Sequence, residues 1–166
     1  METYRGLQCQ LWLAQPLDVI WDFHKDPSNL LKISPEFLKL SLQDVPATIG
    51  KGASFKITSH NKFVGPFFKW VVEYSDWGEE ENYKFFVDIQ KGGPFQVWKH
   101  KHEFRSALDS LEVGGRTYHP KNAGTWILDT LEYSLKPQFK KFEWVAEKML
   151  TQLFIFRKRR LEKEFC

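Results

Sequence analysis

Residues 86–104 read FVDIQKGGPFQVWKHKHEF, and this stretch decides the fold. Two runs with the alternating period of β-strands flank Gly92, Gly93 and Pro94, which predicts an antiparallel hairpin. Side chains of the second run fall on two faces: Trp98, His100, His102 and Phe104 on one, and Lys99, Lys101, Glu103 and Arg105 on the other. Because charged side chains belong in water, we expect the second face to be exposed and the first to be buried.

The same alternation extends to the neighbouring strands. Phe86, Asp88 and Gln90 share a face before the turn, and a later strand has one face made of Thr125, Ile127, Asp129, Leu131 and Tyr133. The inner wall of the sheet should therefore be apolar with a few polar groups, which are His100, His102, Asp88, Gln90 and Asp129. This wall is where a functional site is expected.

Outward from the hairpin, the chain predicts one strand, two short helices and six further strands. The first strand covers 3–14, the first helix runs from Pro16 to about His24, and the second occupies 28–33 and stops before Pro35. The six strands are predicted at 37–44, 52–60, 66–77, 82–91, 95–108 and 124–134, with a polar hairpin loop at 109–123. Short turns between consecutive strands indicate an antiparallel meander, so the fold class is α+β.

The helical period returns after Pro137 and persists to the end of the chain. A wide apolar stripe runs along this segment: Phe142, Val145, Ala146, Met149, Leu153 and Phe156, broadened by Trp144, Leu150 and Phe154. A helix of about 25 residues would reach roughly 37 Å, enough to cross a seven-stranded sheet. We expect the stripe to close the domain, so that Met149→Asp would unfold or open it.

Composition is that of one soluble globular domain covering 1–166. The chain is 42% hydrophobic and 27% charged, and its aromatic content of 16% suits the walls of an apolar pocket. No run approaches the ~20 apolar residues of a membrane span, and residues 1–10 do not resemble a secretion signal. Because Cys9 and Cys166 are too few for a disulfide framework, we expect a cytoplasmic protein.

The net charge of +3 is concentrated near the C-terminus, where the densest run is Arg157-Lys158-Arg159-Arg160. Such a run can bind nucleic acid or an anionic membrane, but it is more often a solvated helix face that complements the helix dipole. We expect no nucleic acid partner and no membrane span, and transient membrane contact stays open. An interaction protein that uses this basic helix is the second alternative function.

The motif Phe86-x-Asp88-x-Gln90-x-x-Gly93-Pro94-Phe95-x-x-Trp98-x-His100-x-His102-x-Phe104 resembles the START-like superfamily, often called SRPBCC. Further support comes from two groups of residues: Thr125, Asp129 and Tyr133 downstream, and Trp21, Phe23, Asn29, Leu30 and Pro35 around the short helices. Within the superfamily the chain is similar to a bacterial ligand-binding group whose members are labelled polyketide cyclase/dehydrase-like or cell-division-inhibitor-like. The loop 109–123 is longer than expected for that group.

This resemblance implies a helix-grip fold, in which a seven-stranded curved antiparallel sheet wraps the long C-terminal helix around a cavity. It also implies binding of a hydrophobic small molecule: a lipid, isoprenoid, polyketide or aromatic compound. Twelve residues would form the site: Trp98, His100, His102, Phe104, Phe86, Asp88, Gln90, Asp129, Tyr133, Met149, Leu153 and Phe156.

Three hypotheses compete for the polar part of this set. The imidazoles and carboxylates could satisfy one another structurally, because a buried charge without a partner is costly. They could orient a ligand, which is compatible with the first hypothesis. They could also act chemically, as an acid–base pair of a cyclase, dehydratase or hydrolase or as a two-histidine metal site. We expect a ligand-binding protein in preference to an enzyme, with no metal and no cofactor; His24 and His60 are isolated in the sequence.

Overall fold

The chain folds around one long antiparallel sheet, and the computed structural model describes residues 4–62, 69–107, 111–113, 115–118 and 123–165. The elements follow in this order: β1 (Arg5–Leu13), α1 (Leu17–Lys25), α2 (Asn29–Lys32), a 3₁₀ turn (Glu36–Leu38), β2 (Leu40–Gln43), β3 (Ser54–Ser59), β4 (Lys69–Glu79), β5 (Tyr83–Gly92), β6 (Phe95–Ala107), β7 (Leu111–Val113), β8 (Arg116–Tyr118), β9 (Gly124–Leu135), a second 3₁₀ turn (Pro137–Phe142) and α3 (Glu143–Glu164).

Seven strands form the curved sheet in the order β1-β9-β6-β5-β4-β3-β2, and all neighbours are antiparallel. The predicted helix-grip architecture is confirmed, with two short helices after β1 and a long C-terminal helix. Gly92 and Gly93 make the β5–β6 turn with φ of 96° and 61°, a backbone conformation that side chains with a Cβ rarely adopt. Among the described residues, no helix is long and apolar enough to cross a membrane.

Two predicted elements differ from the structure, and parts of two predictions lie outside the described residues. The strand predicted at 37–44 begins as a 3₁₀ turn and becomes strand only at Leu40, because Pro35 starts a tight turn. The loop predicted at 109–123 contains a small ladder of its own, in which Leu111 pairs with Tyr118. Residues 108–110, 114 and 119–122 of that loop, and 66–68 of a predicted strand, lie outside the described residues.

The main core lies where α1 packs on the sheet. Trp21 is almost completely buried, and its ring centroid lies 4.9 Å from that of Trp77 and 5.5 Å from that of Phe104. The two indole N–H groups share one carboxylate, because Trp21 and Trp77 each donate to a different oxygen of Glu79 at 3.0 Å. This core anchors one end of the sheet.

A second, smaller core lies under α3. The helix buries Leu150, Phe154 and Leu161, and the first two pack with Trp98, Leu131 and Tyr133 of the sheet. The predicted stripe is therefore rotated: Met149, expected to close the domain, is 43% exposed, and Phe142 is also exposed. α3 also contacts β1, where Arg5 forms ion pairs with Glu143 and Glu147.

The faces of β6 agree with the predicted alternation except at Glu103 and, in part, at Lys101, which is half-buried although its exposure was predicted. Trp98 and His100 are buried and Lys99 is exposed, but Glu103 on the outer face is only 7% exposed. Its carboxylate accepts hydrogen bonds from the Tyr83 hydroxyl at 2.6 Å and from Arg105 at 3.1 Å, and Lys101 lies at 3.1 Å. The long side chains around Glu103 cover it, so its predicted exposure was wrong.

Candidate functional site

A cleft of about 1250 Å³ lies between the inner face of the sheet and α3. Its walls are mainly apolar and come from β3 to β6 on one side and from α3 on the other, with α1, α2 and the first 3₁₀ turn at one end. The volume exceeds the ~300–1,000 Å³ of common small-molecule pockets. The cleft occupies the place predicted from the sequence, between the strand at 95–107 and the C-terminal helix.

Four polar residues meet on the sheet wall of the cleft, and we call them the His–Asp quartet: Asp88, His100, His102 and Asp129. The strand register brings them together, because His100 pairs with Asp88 on β5 and His102 pairs with Asp129 on β9. Alternation then points all four side chains to the inner face. Two histidines two residues apart on one strand thus lie between two carboxylates on its neighbours.

Each imidazole lies between both carboxylates. His102 Nε2 is hydrogen-bonded to Asp88 Oδ2 at 3.1 Å, and its Nδ1 lies 2.7 Å from Asp129 Oδ1. His100 is held more loosely, with Nδ1 at 3.6 Å from Asp88 Oδ2 and Nε2 at 3.5 Å from Asp129 Oδ1. The His100 Nε2 atom is buried and has no hydrogen-bond partner among the described residues. The two ring centroids are 3.8 Å apart.

Electrostatics shift the pKa values of the two histidines in opposite directions. Burial by itself lowers the pKa of His102, but the charge of Asp129 and bonds to both carboxylates raise it to about 9. Burial and the charge of His102 lower the pKa of His100. Burial opposes ionisation of Asp129, yet the charge of His102 and contacts with both imidazoles hold its pKa well below the usual range. At neutral pH the quartet therefore contains two carboxylates, a charged His102 and a neutral His100.

Two neighbours orient the quartet from the side. The Trp98 indole N–H donates to Asp88 Oδ1 at 3.2 Å. The Gln90 amide, turned so that its oxygen faces the indoles, accepts from Trp70 and Trp98, each at 3.3 Å. On the opposite side, the Phe154 ring from α3 lies 5.3 Å from the His100 ring. The quartet is therefore held by hydrogen bonds within the sheet and covered by one residue of the helix.

Asp88, His100 and His102 could also hold a metal ion. One ligand atom from each lies within 4.8 Å of the others, and all three are largely buried. Two imidazole nitrogens with a carboxylate oxygen are donors that zinc or iron accept. Both ring nitrogens of His102 already face carboxylate oxygens, so a metal would have to displace a proton from this imidazolium.

The structure brings ten of the twelve predicted site residues to the cleft: Phe86, Asp88, Gln90, Trp98, His100, His102, Asp129, Met149, Leu153 and Phe156. Phe104 and Tyr133 do not line it and belong to the two packed cores, where both are fully buried. Alternation places these two on the inner face correctly, but it cannot tell a packed position from one that faces empty space.

Several cleft residues were missed from the sequence. The far wall contains co-facial side chains of β3 and β4: Phe55, Ile57, Trp70, Val72 and Tyr74. Their period-two spacing could have found them, because it is the same signal that placed His100 and His102. His24 also lines the cleft, with Nδ1 at 2.8 Å from the Ile20 carbonyl oxygen, and burial lowers its pKa to about 4. No sequence signal pointed to His24.

The profile of the polyketide cyclase/dehydrase and lipid transport family matches residues 13–155 of the chain. The chain belongs to this family. The match covers α1 to most of α3, and it confirms the predicted START-like family. A comparison with curated proteins found no match.

Several solved structures share the fold of this chain. TTHA0849 from Thermus thermophilus is 18% identical with a TM-score of 0.62, and the alignment covers 96% of this chain and 95% of that one. Norcoclaurine synthase from Thalictrum flavum, solved with dopamine and hydroxybenzaldehyde, is 18% identical with a TM-score of 0.54, covering 96% and 88%. Protein Ms6760 from Mycobacterium smegmatis is 15% identical with a TM-score of 0.55, covering 97% and 90%. At these identities the likeness concerns the fold.

Proposed function

We propose that this protein binds a hydrophobic small molecule in the cleft between the sheet and α3. The observation that carries the proposal is a cleft of about 1250 Å³ whose mainly apolar wall contains a few polar side chains, with the His–Asp quartet on its sheet side. Apolar walls with a few convergent polar groups are typical of small-molecule sites. The family description, which names polyketide cyclases, dehydrases and lipid transport, supports the same class of ligand.

Binding would be driven by removing ligand carbon from water, which contributes about 25 cal/mol per Å² of buried apolar surface. The aromatic side chains of Phe86, Trp98 and Phe156 and the aliphatic side chains of Met149 and Leu153 would contact the ligand. The quartet would orient a polar end by hydrogen bonds. A lipid, an isoprenoid, a polyketide or an aromatic compound would satisfy these conditions, and the two cysteines of the chain fit a role in the cytoplasm.

The first test is binding of an environment-sensitive hydrophobic dye. We expect one dye per folded chain, with quenching of indole fluorescence because Trp70 and Trp98 line the cleft. Ala146→Trp should weaken dye binding by narrowing the cleft, since Ala146 also lines it. Glu164→Trp, on the exposed end of the same helix, should not.

Native mass spectrometry of protein purified from its host tests the same proposal independently. An organic molecule that travels with the folded chain is the expected result. Absence of dye binding, together with a protein free of any such molecule, would refute the ligand-binding function. Equal dye affinity of the Ala146→Trp and Glu164→Trp variants would show that the dye binds elsewhere.

A second candidate function is catalysis on a hydrophobic substrate. It is favoured by the opposite pKa shifts of two neighbouring imidazoles: the pKa of His102 is raised to about 9, and that of His100 is lowered. Such a pair can supply an acid and a base at one pH. If a co-purified compound is converted on incubation, His100→Phe should reduce turnover about a hundredfold or more while leaving binding in place. Unchanged turnover in that variant would exclude the pair as the acid and base.

A further inference from the structure

Arg157 is a cation in the cleft wall with a buried donor that is unused. Its side chain comes from the last third of α3 and lines the same cleft as the His–Asp quartet. The Nε atom is out of contact with solvent and has no hydrogen-bond partner, and the guanidinium forms no ion pair with any residue that the structure describes. A buried donor without a partner is costly unless something binds it.

The other cations of the run at 157–160 have different surroundings. Arg160 forms an ion pair with Glu36 at 3.2 Å and lies over the Phe156 ring. Lys158 faces a separate, smaller pocket next to Cys9 on the β1 side of the helix; Arg159 and Arg160 also line the cleft, but Arg159 is exposed. Successive residues of a helix point about 100° apart, so the four cations are spread around the axis. Of the four, Arg157 is the one that combines a buried, unpaired donor with a place in the cleft wall.

The quartet does not supply the missing partner. Burial lowers the pKa of Arg157, and the charges of Asp129 and Asp88 oppose this, so the guanidinium is attracted to the carboxylates from a distance. Both carboxylates are already in contact with imidazoles at 2.7–3.6 Å. An arginine stays protonated under these conditions. With His102 charged, His102 and Arg157 together balance the two carboxylates, so these four groups present no net negative charge to an incoming anion, and the Nε–H of Arg157 is without a partner among the described residues.

We propose that Arg157 binds the carboxylate of an amphipathic ligand whose hydrocarbon part fills the cleft. This rests on the proposed function and names the ligand class. A carboxylate offers two oxygens in the plane of the guanidinium fork, which allows paired, charge-assisted hydrogen bonds. A phosphate monoester has nearly two negative charges at neutral pH, and the second would be repelled by Asp88 and Asp129. The geometry therefore favours a single negative charge.

The test compares three probes of equal chain length: dodecanoate, dodecanol and dodecyl phosphate, each below its micelle concentration, by calorimetry at pH 8. We expect the full chain to bind dodecanoate about tenfold or more tightly than dodecanol, and also more tightly than dodecyl phosphate. Arg157→Met should abolish the preference for the acid over the alcohol. Lys163→Met removes a charge from an exposed position of the same helix outside the cleft, and it should preserve the preference.

The outcomes separate this proposal from the proposed function. Equal binding of acid and alcohol by the unmodified protein, or a preference that survives Arg157→Met, would overturn the role of Arg157 while ligand binding stands. Tightest binding of dodecyl phosphate would overturn the assignment of a carboxylate. Failure of all three probes to bind counts against the cleft itself. If Arg157→Met does not fold, Arg157→Lys keeps the charge but loses the planar fork, and a preference reduced by several-fold is expected there.

Discussion

Two rows of side chains on α3 have the same chemistry and opposite surroundings. The packed row is Leu150, Phe154 and Leu161, which are all buried against the sheet, although Leu150 and Leu161 also border the cleft. The cleft row is Met149, Leu153 and Phe156, which line the open volume and are exposed or half-buried. The comparison shows that an apolar helical stripe can serve to fill a core or to wall a cavity.

The difference arises from where the helix crosses the sheet. Leu150 and Phe154 meet Trp98, Leu131 and Tyr133 on β6 and β9, while the cleft extends over β3, β4 and β5 and reaches the quartet on β6 and β9. α3 therefore packs on part of the inner face and leaves the rest open. The packed row holds the helix in place, and the space next to the cleft row therefore stays open.

The largest effect is expected from Phe154→Ala. This change removes a buried ring and leaves a cavity, and it should lower the free energy of unfolding by about 3–5 kcal/mol. Leu153→Ala, one residue away on the cleft row, should cost about 1 kcal/mol because less contact is lost. Urea unfolding of both variants without ligand measures the difference. Equal losses would mean that the two rows do not differ in packing.

The second effect concerns pH, and it arises from His102 in the quartet. His102 has a pKa of about 9 in the folded chain and 6.5 when unperturbed. Between these values the folded state keeps a proton that the unfolded chain has lost, so stability should fall as pH rises from 6.5 to 9, by at most about 1.4 kcal/mol per pH unit. Below 6.5 this contribution is fully present.

Urea unfolding between about pH 6 and pH 9 measures this dependence, and His102→Phe is the control in which it should disappear. A variant with the same fall as the unmodified protein would place the responsible proton elsewhere. At the acid end the sign reverses, because the lowered pKa values of Asp88 and Asp129 stabilise the fold above about pH 3.8. That contribution should be lost as the pH falls further.

A smaller effect is expected from Met149→Asp, which adds a charge to the cleft row. Because Met149 is 43% exposed, the new carboxylate can stay hydrated, and stability should change by less than about 1 kcal/mol. Affinity for a hydrophobic dye should drop about tenfold, since apolar contact is replaced by a charge. Dye titration and thermal unfolding together check this. Global unfolding of the variant would show that Met149 belongs to the packed row instead.

The smallest effect is a shift in the pKa of one imidazole, that of His100. The Phe154 ring covers His100 at 5.3 Å, and burial is the main cause of the lowered pKa of His100. Phe154→Leu should admit water and raise that pKa towards 6.5. Leu153→Ala should leave it unchanged, because Leu153 belongs to the cleft row. Imidazole titration by nuclear magnetic resonance measures both, and equal shifts would show that Phe154 does not shield the site.

Much of the site could be predicted because strand alternation assigns faces from local sequence. The positions of Asp88, His100, His102 and Asp129 on one face needed only a period of two and the assumption that lysines face water. Glu103 failed the same argument because its burial depends on Tyr83, which lies across the strand pair, and on the long side chains of Lys101 and Arg105. Register between strands is a tertiary property, and alternation does not contain it.

By itself the sequence determined the order of the elements, the inner face of the sheet and the apolar stripe of the last helix, because each is set by local periodicity and turn residues. Only the tertiary structure decided how α3 is rotated about its axis: Phe154 is packed, Met149 faces the cleft, and Arg157 alone of its run has a buried Nε without a partner among the described residues. That rotation depends on contacts between residues far apart in the chain, such as Phe154 with Trp98 and Arg5 with Glu143. The energies of such contacts exist only once the sheet has formed.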